Sequence, residues 1–238
     1  MAQAVVFALI ASSALVIGAA IGVRWTLPVK VTAWLLGFAS GALITAVAFE
    51  LFLQAHNHGG PVASAIAFVA GATIFILIDS RLERRNRERR ASGATIGIGL
   101  LAGVTLDGVP ENLALGVGLI EGVAPALLVA IFVSNLPEAI VGARKMREVG
   151  ISGRRIIGVW TGAAVLLALA VVLGYGALDG VEPHHLAWPL GFAAGAVLAS
   201  LADTLMPEAY SEGGPHVAWA TSLGFLMSFL IYIAGSGG

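Results

Sequence analysis

Two short segments carry most of the chain's capacity for chemistry. Asp107-Gly108-Val109-Pro110-Glu111 and Ser134-Asn135-Leu136-Pro137-Glu138 align at an offset of 27 residues, and each ends in Pro-Glu. On a helix, residues four apart share a face, so Asp107 points with Glu111 and Ser134 with Glu138. Each proline removes a backbone donor and disturbs its helix, which frees the carbonyl of Leu106 in one segment and of Val133 in the other. Two such helices face to face would gather three carboxyls, an amide, a hydroxyl and bare carbonyls. Oxygen donors in that number suit a divalent cation. Protonated carboxyls bonding between helices as structural glue are the alternative.

The elements that must position these groups are read from composition. The 238-residue chain is 58% hydrophobic and 11% charged, where a soluble domain carries about 25% charged residues. So few charges cannot make a water-facing surface, so lipid must cover much of the exterior. Eight apolar runs, roughly 4–23, 31–55, 62–80, 94–119, 122–143, 156–177, 188–209 and 216–235, approach the ~20 residues a spanning helix needs. They lack the polar alternation of a membrane barrel. The expectation is an all-α integral membrane protein with eight transmembrane helices. In that setting an ionisable group costs about 2.5–3.5 kcal/mol to place at the bilayer centre. No Lys or Arg lies inside a run to neutralise the acids, so they must be protonated or hold cations. Asp203, in the seventh run ahead of Leu205-Met206-Pro207-Glu208, is a further candidate ligand. Glu50 reads as lining an entrance or as an interfacial carboxylate, Glu208 as solvated, and Asp79 as locally paired.

Other classes of function fall away. The absence of cysteine excludes thiolate metal sites, disulfides and cysteine nucleophiles. A net charge of −1 gives no sign of a nucleic-acid partner. The N-terminus lacks the basic region of a signal peptide, so the first run reads as a retained helix. All thirteen Lys and Arg fall in alternate connections: Arg24 and Lys30; Arg81, Arg84, Arg85, Arg87, Arg89 and Arg90; then Arg144, Lys145, Arg147, Arg154 and Arg155. The positive-inside rule places that side in the cytoplasm and both termini outside, as for a multi-pass protein of the plasma (inner) membrane. The run at 81–90 reads as a solvated linker.

The chain also repeats itself at an offset of 154 residues. Trp34-Leu35-Leu36-Gly37-Phe38-Ala39-Ser40-Gly41-Ala42 aligns with Trp188-Pro189-Leu190-Gly191-Phe192-Ala193-Ala194-Gly195-Ala196, and the register reaches Gly59-Gly60-Pro61 against Gly213-Gly214-Pro215. Helices 1–3 thus match helices 6–8. With two helices between them the units are inverted, an architecture common among secondary transporters. The expected organisation is one transmembrane domain, 1–238: repeat 1 over 1–80, a basic loop at 81–92, central helices at 93–147 and repeat 2 over 155–238.

These features resemble the ZIP (Zrt/Irt-like) metal transporter family. That family carries a motif like His-Asn-x-Pro-Glu-Gly on helix 4, a related Pro-Glu segment on helix 5, and eight helices in a 3+2+3 inverted arrangement. The resemblance implies that Glu111 and Glu138 take the places of bridging glutamates in a two-metal centre. It implies that Asn135 ligates the second metal and that Asp203 is the acidic ligand of helix 7. Asp107 stands where the family has histidine, Ser134 where it has histidine or glutamine, and Gly108 where it has asparagine. Asn112 and Ala139 replace motif glycines. The motif segments hold no histidine, and an all-oxygen set favours manganese, magnesium or ferrous iron where imidazole would favour zinc. Zinc enters through the family. His56, His58, His184 and His185 lie in outer loops, where they read as surface residues or as groups that catch incoming metal.

The function expected is a secondary transporter moving a divalent metal ion inward. An intramembrane enzyme is the rival, without an HExxH or serine-elbow signature, as is a proton-coupled carrier of another solute. Whether the unit is a homodimer stays open.

Overall fold

Hydrocarbon offers a backbone no hydrogen-bond partner beyond its own turns, and in the computed structural model every described element is helical. The backbone is described at residues 1–91, 96–121 and 124–236, with side chains at all of these except 83, 85–91, 96–104, 106, 107, 121 and 236. The elements are α1 (Ala2–Arg24), α2 (Val29–Ala46), a π-helical turn (Val47–Phe52), α3 (Leu53–Ala91), α4 (Ile96–Gly118), α5 (Pro125–Glu148), α6 (Gly153–Leu178), α7 (Pro183–Asp203), α8 (Leu205–Gly213) and α9 (Val217–Ser236), with single 3-10 turns after α4 and α8. Among the described residues, five helical stretches are long and apolar enough to cross a membrane: Ala2–Arg24, Val29–Leu82, Pro125–Glu148, Gly153–Leu178 and Pro183–Gly235.

Two of these stretches are double-length, at 54 and 53 residues. Each is broken by a glycine with positive φ: Gly60 at φ 71°, ψ −177° and Gly214 at φ 68°, ψ −164°. That conformation disfavours any side chain. Pro61 and Pro215 follow, and their fixed φ suits the first position of a new helix. The two Gly-Gly-Pro triplets therefore make the same turn.

Matching positions also make matching contacts. A Cβ on Gly41 would overlap the Thr221 carbonyl, and one on Gly195 would overlap that of Phe68. Likewise Gly224 lies on the Phe38 carbonyl and Gly71 on that of Phe192. The offset is 154 residues for Gly41/Gly195 and Phe38/Phe192, and 153 for Phe68/Thr221 and Gly71/Gly224. Contacts advance together along both partners, so α2 runs parallel to α9 and α7 parallel to α3. The same pattern pairs α1 with α5 (Gly18 at Leu136, Gly22 at Ile140) and α4 with α6 (Gly108 at Leu167, Gly116 at Val171). In lipid there is little hydrophobic drive between helices, and close approach through small residues takes its place. Thr45 adds an interhelical bond, its Oγ1 lying 3.1 Å from the Phe225 carbonyl.

The middle helix of each repeat is deformed at one register position. α2 passes into the π-turn that contains Glu50, while α7 ends at Asp203 and is parted from α8 by Thr204 (φ −115°, ψ −71°). Glu50 and Thr204 are 154 residues apart. The break has a direct cause, since the Pro207 ring conflicts with a helical carbonyl at residue 203. Repeat 1 has Leu53 at that position and takes one residue too many into the turn instead. The run at 188–209, expected as one helix, is therefore two.

The exterior is apolar, with Leu9, Val62, Leu173 and Trp219 each more than 60% exposed, a surface suited to lipid and not to water. Described basic residues collect at one end. Arg24 and Arg147 share a cavity with Ser152 and Gly153, and Lys145 ion-pairs Glu208 at 3.0 Å.

Gly41→Leu and Gly195→Leu are expected to lower stability by about 1–3 kcal/mol each through overpacking, read as a lower melting midpoint in detergent. Gly158→Ala and Gly162→Ala, where a Cβ would meet no atom within 4 Å, should leave the midpoint unchanged or raised.

Candidate metal centre

α4 and α5 continue through Pro110 and Pro137. Their rotation is set from outside: Gly108 and Gly116 press α4 on α6, while Leu136 and Ala139 press α5 on Gly18 of α1. These contacts turn Glu111, Asn112, Ser134 and Asn135 into the interior, where each is at most 1% exposed. The Ser134 Oγ lies 3.5 Å from Glu111 Oε2 and 3.0 Å from the Ile131 carbonyl. One hydroxyl proton cannot serve both acceptors well, and the shorter contact is the better bond. The Glu111 and Ser134 oxygens thus share a space without a tight bond between them.

The amides next to these groups are more telling. Neither Oδ1 nor Nδ2 of Asn135 has a hydrogen-bond partner among the described residues. Asn112 donates from Nδ2 to the Gly108 carbonyl at 2.8 Å, and this bond sets its amide so that the unpartnered atom is the acceptor Oδ1. A buried, unsatisfied polar group costs about 1–3 kcal/mol. Such groups in native proteins call for an ion or an ordered water. Carboxyl, hydroxyl and amide oxygens together fit a divalent cation. Among the described residues the buried ionisable side chains are Glu50 and Glu111, and no Lys or Arg is buried.

The other expected ligands fall as follows. Glu138 is half-buried, one turn on from Ser134. The Asp107 side chain lies outside the described residues, and its backbone sits one turn before Glu111 in α4. Asp203 is exposed and terminates α7, at the basic end of the bundle and not deep within a continuous helix. The structure therefore brings Glu111 to Ser134, with Asn135 beside them in α5. In the sequence Asn112 reads as a replaced motif glycine, although any amide inside an apolar run is a signal.

Glu50 has a role that neither sequence reading assigned. The N–H groups of Ala126 and Leu127 donate to its Oε1 and Oε2 at 3.1 and 2.6 Å. The first N–H groups of a helix lack internal partners, and here the π-turn of one helix caps the start of α5. Glu208 is likewise held, by Lys145. A groove of about 890 Å³ between α3, α4, α6 and α7 reaches Val109 and Pro110. Its walls, including Ile74, Phe75 and Phe192, are apolar, so it meets α4 on the side away from the chemistry.

Fold and site together define a helical membrane protein with a buried centre of oxygen donors. No family model matches the chain. Over 140 residues it is 35% identical to the human protein named zinc transporter ZIP11, an alignment covering 54% of this chain and 40% of that one. The chain thus spans well under half of that relative's length. The similarity supports a relationship with the ZIP family.

Two substitutions separate cap from centre. Glu50→Ala strands two buried N–H groups at about 1–3 kcal/mol each, so the melting midpoint should fall. Asn135→Leu removes an unsatisfied amide, so the metal-free midpoint should hold or rise while the part of the metal-induced stabilisation that comes from this centre is lost. Scanning calorimetry of both variants with and without metal checks this.

Proposed function

We propose that this protein is a secondary transporter of the ZIP type that carries a divalent metal ion across a membrane through the centre on α4 and α5. One observation carries the reading: the fully buried Asn135 amide, unpartnered at both polar atoms among the described residues, next to Ser134 in its contact with Glu111. Transport requires an ion to bind well enough to enter and loosely enough to leave. Amide and hydroxyl oxygens with a small number of carboxyls make a site of that intermediate strength. Glu138 and Asp107 complete the set from the adjoining turns, and Asp203 stands on the exit side.

The architecture that goes with this is eight spans as 3+2+3, with repeat 1 (1–80) inverted against repeat 2 (155–238) about the central helices (93–147). The shared turn at Gly60 and Gly214 and the reciprocal glycine contacts support it. With the basic end in the cytoplasm, both termini lie outside the plasma (inner) membrane. Ions would enter near the start of α5 and leave toward Asp203. Alternating access comes from one helix group moving against the other. Similarity to a protein named a zinc transporter makes zinc the first ion to test, and the oxygen-only donor set adds manganese, ferrous iron and magnesium.

Purified protein in proteoliposomes should take up at least one ion of a zinc, manganese, ferrous iron and magnesium panel. Glu111→Ala and Glu138→Ala should each cut that uptake at least about tenfold, the amount even an outer-shell partner contributes to a metal site, with unchanged gel-filtration profiles. Wild-type rates in both variants for every ion would overturn the assignment.

A further inference from the structure

Among the described residues outside the buried centre, one group of side chains has the composition of a metal site. Glu182, His184 and His185 each offer a ligand atom, and the three atoms lie within 4.8 Å of one another. His184 Nδ1 is 3.5 Å from Glu182 Oε2, and the two imidazole rings lie 3.8 Å apart between centroids. The local fold explains the convergence. Gly180 turns the chain at φ 83°, and Pro183 sets the first helical position of α7 with its fixed φ. Both histidines then stand in the opening turn of α7, next to the residue that precedes the helix.

The position gives the cluster its meaning. α6 runs about 39 Å from the end where Arg147 and Ser152 share a cavity, and α7 begins five residues after α6 stops. The cluster is therefore at the end opposite the basic residues, where Glu50 caps the start of α5. One turn along α7, Ala187 packs on Gly59, in the segment that holds His56 and His58. Four of the chain's five histidines thus gather at this end, while the interior centre on α4 and α5 is built from oxygen. Two imidazoles and a carboxylate favour transition-metal dications over magnesium or calcium. Three protein ligands on an exposed surface leave further positions to water, so an ion there exchanges readily.

We propose that Glu182, His184 and His185 form a loading site that binds a transition-metal dication at the outer mouth, ahead of the buried centre. As a loading step this rests on the transporter reading; as a metal site it does not. The test uses full-length protein at neutral pH, with Cu²⁺ as an electron paramagnetic resonance probe and Zn²⁺ titrated by calorimetry. Wild type should show nitrogen hyperfine coupling and a Zn²⁺-binding event that His184→Ala/His185→Ala weakens at least about tenfold. Asn135→Leu, at the buried centre, should keep both signals. In proteoliposomes the double variant should raise the KM for Zn²⁺ uptake several-fold with kcat unchanged. Loss of the nitrogen signal in the double variant supports the site even if no protein transports metal. An unchanged signal and titration overturn it, whatever the uptake. Lost binding with an unaltered KM overturns the loading role.

Discussion

In this bundle, any polar atom removed from water must find its partner within the protein. Most do so locally. Ser40, Thr73, Ser134 and Thr204 each place a hydroxyl on a carbonyl of the preceding turn of their own helix, which satisfies the group without involving a neighbour. Glu50 solves the problem at longer range, since the helix start it reaches has N–H groups that need acceptors. Asn112 and Asn135 are left with polar atoms that no described residue satisfies. Asn135 adjoins Ser134 in α5, whereas Asn112 lies on the same face of α4 as Gly108 and Gly116, the side that packs on α6.

The second organising feature is the way helices touch. The parallel pairs α2–α9 and α3–α7 meet through glycines that lie on carbonyl groups, and the two pairs use corresponding residues. The agreement extends to defects: one helix of each set loses regular geometry at Glu50 or at Thr204. The chemical means differ, an extra residue in one turn and a proline in the other, yet the location is shared. The register therefore constrains where each helix bends more tightly than it constrains which residue does the bending.

Much of this was legible in the residues. Run length and composition gave the all-helical, apolar architecture though not the bounds of each helix, and the Gly-Gly-Pro triplets gave two matched turns. Pro-Glu spacing led to Glu111, Ser134 and Asn135. What stayed hidden depended on through-space relations. The π-turn leaves no periodicity of its own, and Glu50 lies 76 residues from the N–H of Ala126 that it accepts. The end of α7 at Asp203 follows from Pro207, a residue that in α4 and α5 has counterparts that leave the helix intact. Asn112 was hidden for a different reason: comparison with a motif presented it as a lost glycine, when its burial makes it an amide needing company.

The cap on α5 has a mechanical consequence. A carboxyl group that holds two consecutive amides forms a short tether with little slack, joining the π-turn to the helix that bears Ser134 and Asn135. Axial sliding of that helix would have to drag the π-turn along or break both bonds together. Sideways tilting about the tether leaves it intact. The helix carrying Ser134 and Asn135 is thus hinged at its first turn, with its freedom concentrated at the opposite end, where Lys145 reaches Glu208.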